Sequence, residues 1–155
     1  MGLFGGSGDA SGGMKAGFRD FKWGGAAVPE MEVLDEHAES KFCWIPSDDL
    51  TFAGATVDKI VYEFWENRFA EVYIEIPPQS ADRILKDLNA GWGKPSQPNK
   101  FIEDFIWENK AVGPEATNAV FSRNPSTRGA TLRILSSYIL TKKTIAKGKG
   151  KPPAR

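Results

Sequence analysis

Apolar and polar residues alternate most regularly between Thr56 and Pro78, in the stretch TVDKIVYEFWENRFAEVYIEIPP. In its first half Ile60, Tyr62 and Phe64 oppose Lys59, Val61 and Glu63. In its second half Ala70, Val72, Ile74 and Ile76 oppose Glu71, Tyr73 and Glu75. A period of two, rich in β-branched and aromatic residues, is the mark of a half-buried strand. Two such runs with a short polar break predict a β-hairpin. A one-residue slip would swap the faces of one strand against the other, so the loop length sets the register. A three-residue loop, Trp65-Glu66-Asn67, places Ile60, Tyr62 and Phe64 with Ala70, Val72, Ile74 and Ile76, and Asn67 tolerates the left-handed conformation such a loop requires.

The other face of this hairpin is mixed, with Val61, Trp65, Phe69 and Tyr73 interleaved with Lys59, Glu63, Glu71 and Glu75. Two readings stay open: an exterior or a face covered by another segment, and a contact stripe for a partner, since aromatics rimmed by charge mark interfaces. The register also sets Glu63 opposite Glu71, where like charges repel.

Elsewhere the pattern predicts further elements. Residues 40–46 (SKFCWIP) read as a strand ended by proline, and Pro29 suggests a single turn before it. After Pro77-Pro78, Ser80 is a natural N-cap for a helix over 81–90, with Ala81, Ile84, Leu85 and Leu88 on one stripe and Gly91 as its stop. Strands follow at 101–109, 117–122 and 130–136, and a short helix at 137–146. The fold class is therefore α+β: a mainly antiparallel sheet of five or six strands with one principal helix packed on one face.

Composition sharpens the outline. A hydrophobic share of 41% and a charged share of 26% suit one globular domain. The first thirteen residues hold six glycines, so residues 1–16 are expected to form a flexible tether ahead of a single domain over 17–140. Lys142, Lys143, Lys147, Lys149, Lys151 and Arg155 leave 14 basic against 20 acidic residues in 1–140, a body charge near −6, and make 141–155 a basic, flexible tail. That tail lacks stacking aromatics, so nucleic acid or anionic lipid is a disfavoured partner. No apolar run is long enough for a transmembrane helix, and no signal-peptide pattern opens the chain. The compartment is expected to be cytoplasmic by default, with an exported mature form as the alternative.

Catalytic chemistry finds little footing. Cys43 lies in the apolar run FCWI and reads as a buried structural thiol, which leaves no disulfide and no cysteine-cluster metal site. His37 sits among surface-type carboxylates in DEHAES and reads as exposed. The Gly-Trp-Gly-Lys string at 91–94 has neither the spacing nor the flanking elements of a phosphate loop. No catalytic residue, cofactor or metal site is expected.

A set of short motifs carries a resemblance. Gly17-Phe18-Arg19-Asp20-Phe21-Lys22-Trp23-Gly24, Asp49-Leu50-Thr51-Phe52, the strand Val57 to Phe64, Gly93-Lys94-Pro95 after a helix, and Trp107 together resemble a loose group of small uncharacterised bacterial proteins, often exported or lipoprotein-like. In that group a hairpin is followed by a helix ending in Gly-Lys-Pro. The resemblance covers roughly 17–140 and implies an α+β domain from a Gram-negative bacterium. It supplies no catalytic residues. Where the group has a leader, this chain has its glycine-rich start.

The function these readings favour is a non-enzymatic interaction or accessory subunit that docks a protein partner through the aromatic face of the central hairpin. Val61, Trp65, Phe69 and Tyr73 are the expected partner-binding residues. The alternative is a small-molecule or peptide binding domain with a pocket between sheet and helix. An enzyme ranks third and would rest on a buried carboxylate pair.

Overall fold

The hairpin becomes the middle of a sheet. The computed structural model describes residue 10 and residues 13–149. Two short ribbons, β1 (Gly17–Phe18) with β2 (Phe21–Lys22) and β5 (Thr51–Phe52) with β6 (Ala55–Thr56), flank a larger assembly. That assembly comprises β3 (Glu32–His37), β4 (Ser40–Trp44), β7 (Lys59–Trp65), β8 (Arg68–Ile76), β9 (Asp104–Glu108), β10 (Thr117–Arg123) and β11 (Ala130–Ser136). Its order is β3-β4-β7-β8-β11-β10-β9, antiparallel throughout. Two helices, α1 (Pro78–Trp92) and α2 (Ser137–Lys149), pack against it.

The class is α+β with a dominant antiparallel sheet, but there are seven strands rather than five or six, and the expected short second helix also packs on the sheet, so two helices cover it rather than one principal helix. The added strand is β3, and every residue of it is exposed. Buried strands announce themselves by alternation; a wholly exposed edge strand does not. It forms because the turn at Ala38, with φ 55°, folds it back on β4.

The hairpin register is corrected in one respect. The loop has two residues, Glu66 and Asn67, both left-handed (φ 49° and 63°), as the primed turns of two-residue hairpins require. Such a loop alone would put Ile60 opposite Tyr73. A bulge on β8 between the pairs Glu63↔Glu71 and Phe64↔Phe69 takes up one residue and sets Ile60↔Ile74 and Tyr62↔Val72, two residues along from the pairs a three-residue loop would make but with the same side chains facing inward. The expected apolar face survives from Ile60 to Ile76. Phe69, however, turns into the core and Ala70 turns out. The bulge also turns the Phe69 backbone toward the N-terminal segment, where Gly24 N–H donates to Phe69 O (2.9 Å) and Phe69 N–H donates to Gly25 O (2.8 Å).

Helix α1 starts earlier and ends later than its pattern suggests. Pro78 takes the first helical position, where its missing N–H costs nothing, so Ser80 lies buried in the first turn instead of capping. Gly91 is helical; a side chain there would meet Ala10 O at 2.1 Å. Gly93, with φ 88°, makes the stop and donates its N–H to Asn89 O (3.1 Å). Ala81, Ile84 and Leu88 are buried against the face carrying Ile60, Tyr62, Val72 and Ile74, while Leu85 is only partly buried.

Parts of both expected tails are described. Ala10 is fully buried and Met14 packs on the core, so the part of 1–16 that is described is anchored; residues 1–9, 11 and 12 lie outside the described residues. Helix α2 runs on to Lys149, so 141–149 is helical, and residues 150–155 lie outside the described residues. Among the described residues no helix is long and apolar enough to cross a membrane.

Candidate functional site

The two faces of the sheet are finished differently. One is covered by α1, the short ribbons and Ala10, and forms the main core. On the other, α2 covers only the end near Trp65, where Ile139 packs with Trp65 and Ala70. The remainder carries a straight cross-strand row, Val61↔Tyr73↔Arg133↔Val120↔Ile106, contributed by five strands. All five side chains are half-buried, as is Phe42, while Trp44 beside them is exposed. The Phe42 and Tyr73 rings lie 6.2 Å apart, and the Arg133 guanidinium sits 5.6 Å from the Tyr73 ring centroid.

The four expected partner-binding residues are thereby separated. Val61 and Tyr73 share the uncovered row. Trp65 is on the same face but lies under α2. Phe69 is 1% exposed on the opposite side, against Tyr62, Phe64 and Trp23, because the bulge reverses its direction. Phe42, Arg133, Val120 and Ile106 join the surface without having been anticipated. Their own strands showed which residues alternate with which, but only the pairing order shows which ones align.

Beneath one end of this row lies a polar network. Glu63 and Glu71 face each other as expected, and both are buried. Ser40 Oγ donates to Glu63 Oε2 (2.8 Å), and Lys143 Nζ donates to the same oxygen (2.6 Å). Tyr73 O–H donates to Glu63 Oε1 (2.7 Å) and approaches Glu71 Oε1 at 3.1 Å. Arg133 Nε donates to Glu71 Oε2 (2.5 Å). Four elements thus converge on two carboxylates, and Lys143 fastens α2 to the sheet.

The two acids respond in opposite directions. Burial pushes Glu63 up, but donation by Lys143, Tyr73 and Ser40, with the charge of Lys143, outweighs it and holds the carboxyl below its ordinary value. For Glu71 burial prevails, helped by the charge of Glu63, and the pKa rises despite Arg133. Burial, then the Glu71 charge and donation to Glu63, raise the Tyr73 phenol. A phenol has one proton, so it serves the nearer carboxylate fully. Both carboxylates are almost fully buried, and their bonds to Ser40, Tyr73, Arg133 and Lys143 tie the sheet strands and α2 together.

Other candidate chemistry settles simply. Cys43 is buried, and that burial raises its thiol pKa, the reverse of what an activated nucleophile needs. His37 is exposed on β3. Among the described residues no group of three or more His, Cys, Asp or Glu is placed to hold a metal. A cavity of about 280 Å³ opens between the β3–β4 turn and α2, lined by Ser40, Phe42, Trp65, Lys143 and Lys147 among others. The Gly93 carbonyl of the Gly-Lys-Pro segment accepts from Trp107 Nε1 (2.9 Å), which ties β9 to the end of α1. No family model, no curated protein and no solved structure matches this chain.

Proposed function

We propose that this protein is a non-enzymatic interaction or accessory subunit that docks a protein partner on the uncovered face of its sheet. The observation that carries the reading is the row from Val61 to Ile106, with Phe42 and Trp44 beside it: apolar and aromatic side chains, one arginine and, among the described residues, no covering layer. Aromatics and arginine dominate the well-packed centres of interfaces. The buried network supports it from behind, since Tyr73 and Arg133 are each held by hydrogen bonds and lose little freedom on docking. The double variant Val61→Lys, Val120→Lys adds charge at two half-buried positions and should remove co-purification of the partner while leaving the far-UV circular dichroism unchanged. Undiminished co-purification contradicts the proposal.

A second reading draws on the cavity beside α2. Its volume of about 280 Å³, with Phe42 and Trp65 for an apolar group and Lys143 and Lys147 for an anionic one, supports a small-molecule or peptide ligand between sheet and helix. A ligand-dependent rise in Tm that Trp65→Ala abolishes favours this reading over the first.

A further inference from the structure

The two edges of the sheet are treated differently by the chain itself. At β9 the preceding loop returns and closes the edge: Ser96 N–H donates to Ile106 O and Ile106 N–H to Ser96 O, both at 2.9 Å. At β3 no described segment pairs with the outer side. An open edge presents a row of backbone donors and acceptors and invites another strand unless charge or irregularity deters it. Both deterrents are present, as Glu32, Asp35 and Glu36 on the strand and as the register shift between Val33 and Asp35. Yet the same edge is also apolar. Val33, Leu34, Trp44 and Leu50 make up four of the nine large hydrophobic side chains that stand exposed among the described residues, and all four lie at this corner. An edge built only to repel would not carry them.

Leu34, Trp44 and Leu50, with Ile45, Pro46 and Ile60, line a groove of about 360 Å³ that runs beside the open strand. Its charged members are Asp48, Asp58 and Lys59. Asp48 is engaged by Arg19 and by the Tyr62 hydroxyl. Along the edge, Glu30, Glu32, Asp35, Glu36 and Glu39 are exposed and make no ion pair among the described residues. Lys41, opposite Glu36, is the only lysine or arginine in the β3–β4 hairpin.

We propose that β3 accepts an extended segment of another protein as an eighth strand, with apolar side chains of that segment in the groove and Lys or Arg residues along the acidic edge. The free edge specifies strand addition, the groove specifies apolar side chains, and the acidic row specifies the sign of the rest. A second copy of this chain fits poorly, because β3 against β3 would set carboxylates against carboxylates. Trp44 borders both this groove and the uncovered face, but the strand edge and Leu34 lie outside the row from Val61 to Ile106, and the substitutions that test strand addition leave that row unchanged.

The test uses the full chain and a fluorescein-labelled peptide alternating isoleucine with lysine, read by fluorescence anisotropy. Two peptide controls replace lysine by glutamate, or N-methylate alternate amides to remove strand pairing. The lysine peptide should bind saturably, and the N-methylated form at least about tenfold more weakly. Leu34→Asp should weaken binding by a similar factor. In the double variant Glu32→Lys, Glu36→Lys the preference should move to the glutamate peptide; both variants lie on an exposed strand and should keep the wild-type circular dichroism. Equal binding of the N-methylated peptide, or undiminished binding by Leu34→Asp, overturns strand addition. A concentration-dependent dimer in sedimentation that Leu34→Asp abolishes makes the occupant a second copy and overturns the proposal as well.

Discussion

At the scale of single residues, the most informative group is Glu63. A carboxylate so fully buried persists as an anion only because Lys143, Tyr73 and Ser40 all donate to it. Its folded pKa lies below its unfolded value. Its contribution to stability is therefore present above the unfolded pKa and is lost as pH falls through the folded one. Glu71 behaves oppositely: its raised pKa favours folding below the unfolded value, and that contribution is lost as pH rises through the folded pKa. Lys143→Met removes one donor and the counter-charge. It should cost about 1–3 kcal/mol at neutral pH, measured by urea denaturation. The cost should shrink below the carboxylate range, where a protonated Glu63 no longer needs the ammonium. A cost that stays constant with pH would show that Lys143 acts through packing instead.

At the scale of elements, the hairpin shows what was legible in the sequence and what was not. Alternation identified both strands and the inward set Ile60, Tyr62, Val72, Ile74 and Ile76, because burial imposes a period that the residues must obey. It could not identify the bulge. A two-residue loop with a bulge and a three-residue loop put the same residues inward except that Phe69 replaces Ala70, but they pair them differently: the three-residue loop sets Ile60 against Val72, whereas Ile60 lies against Ile74. The predicted contact stripe failed to form as one surface at that point. Helix α1 shows a related limit. Its stripe was read correctly, but Ile84 and Leu88 are fully buried while Leu85 lies at the margin. Ile84→Ala should cost about 2–5 kcal/mol in chemical denaturation, and Leu85→Ala distinctly less. Equal costs would mean that α1 is rotated about its axis relative to this packing.

At the scale of the whole molecule, the architecture is a single sheet with one face deeply covered and the other only at its end. The class was legible because six of the seven main strands carry their own apolar signals. The seventh, β3, has two adjacent apolar residues, Val33 and Leu34, but no alternation and no buried residue, and its placement leaves an open acidic edge that composition could not reveal. The candidate surface was half legible: Val61 and Tyr73 belong to the pattern of one hairpin, whereas Arg133, Val120 and Ile106 reach it through pairings between residues far apart in the chain. The same long-range closure brings Lys143 to Glu63, and the short helix expected over 137–146 runs on to Lys149.

The central claim is that the uncovered face is where a partner sits, and site-specific photo-crosslinking tests it most directly. A photoreactive amino acid at Val120, on the row, is compared with one at Lys86, exposed on α1. The account predicts a single crosslinked partner species from Val120 and none from Lys86. Crosslinking of that same partner from Lys86 but not from Val120 would contradict it.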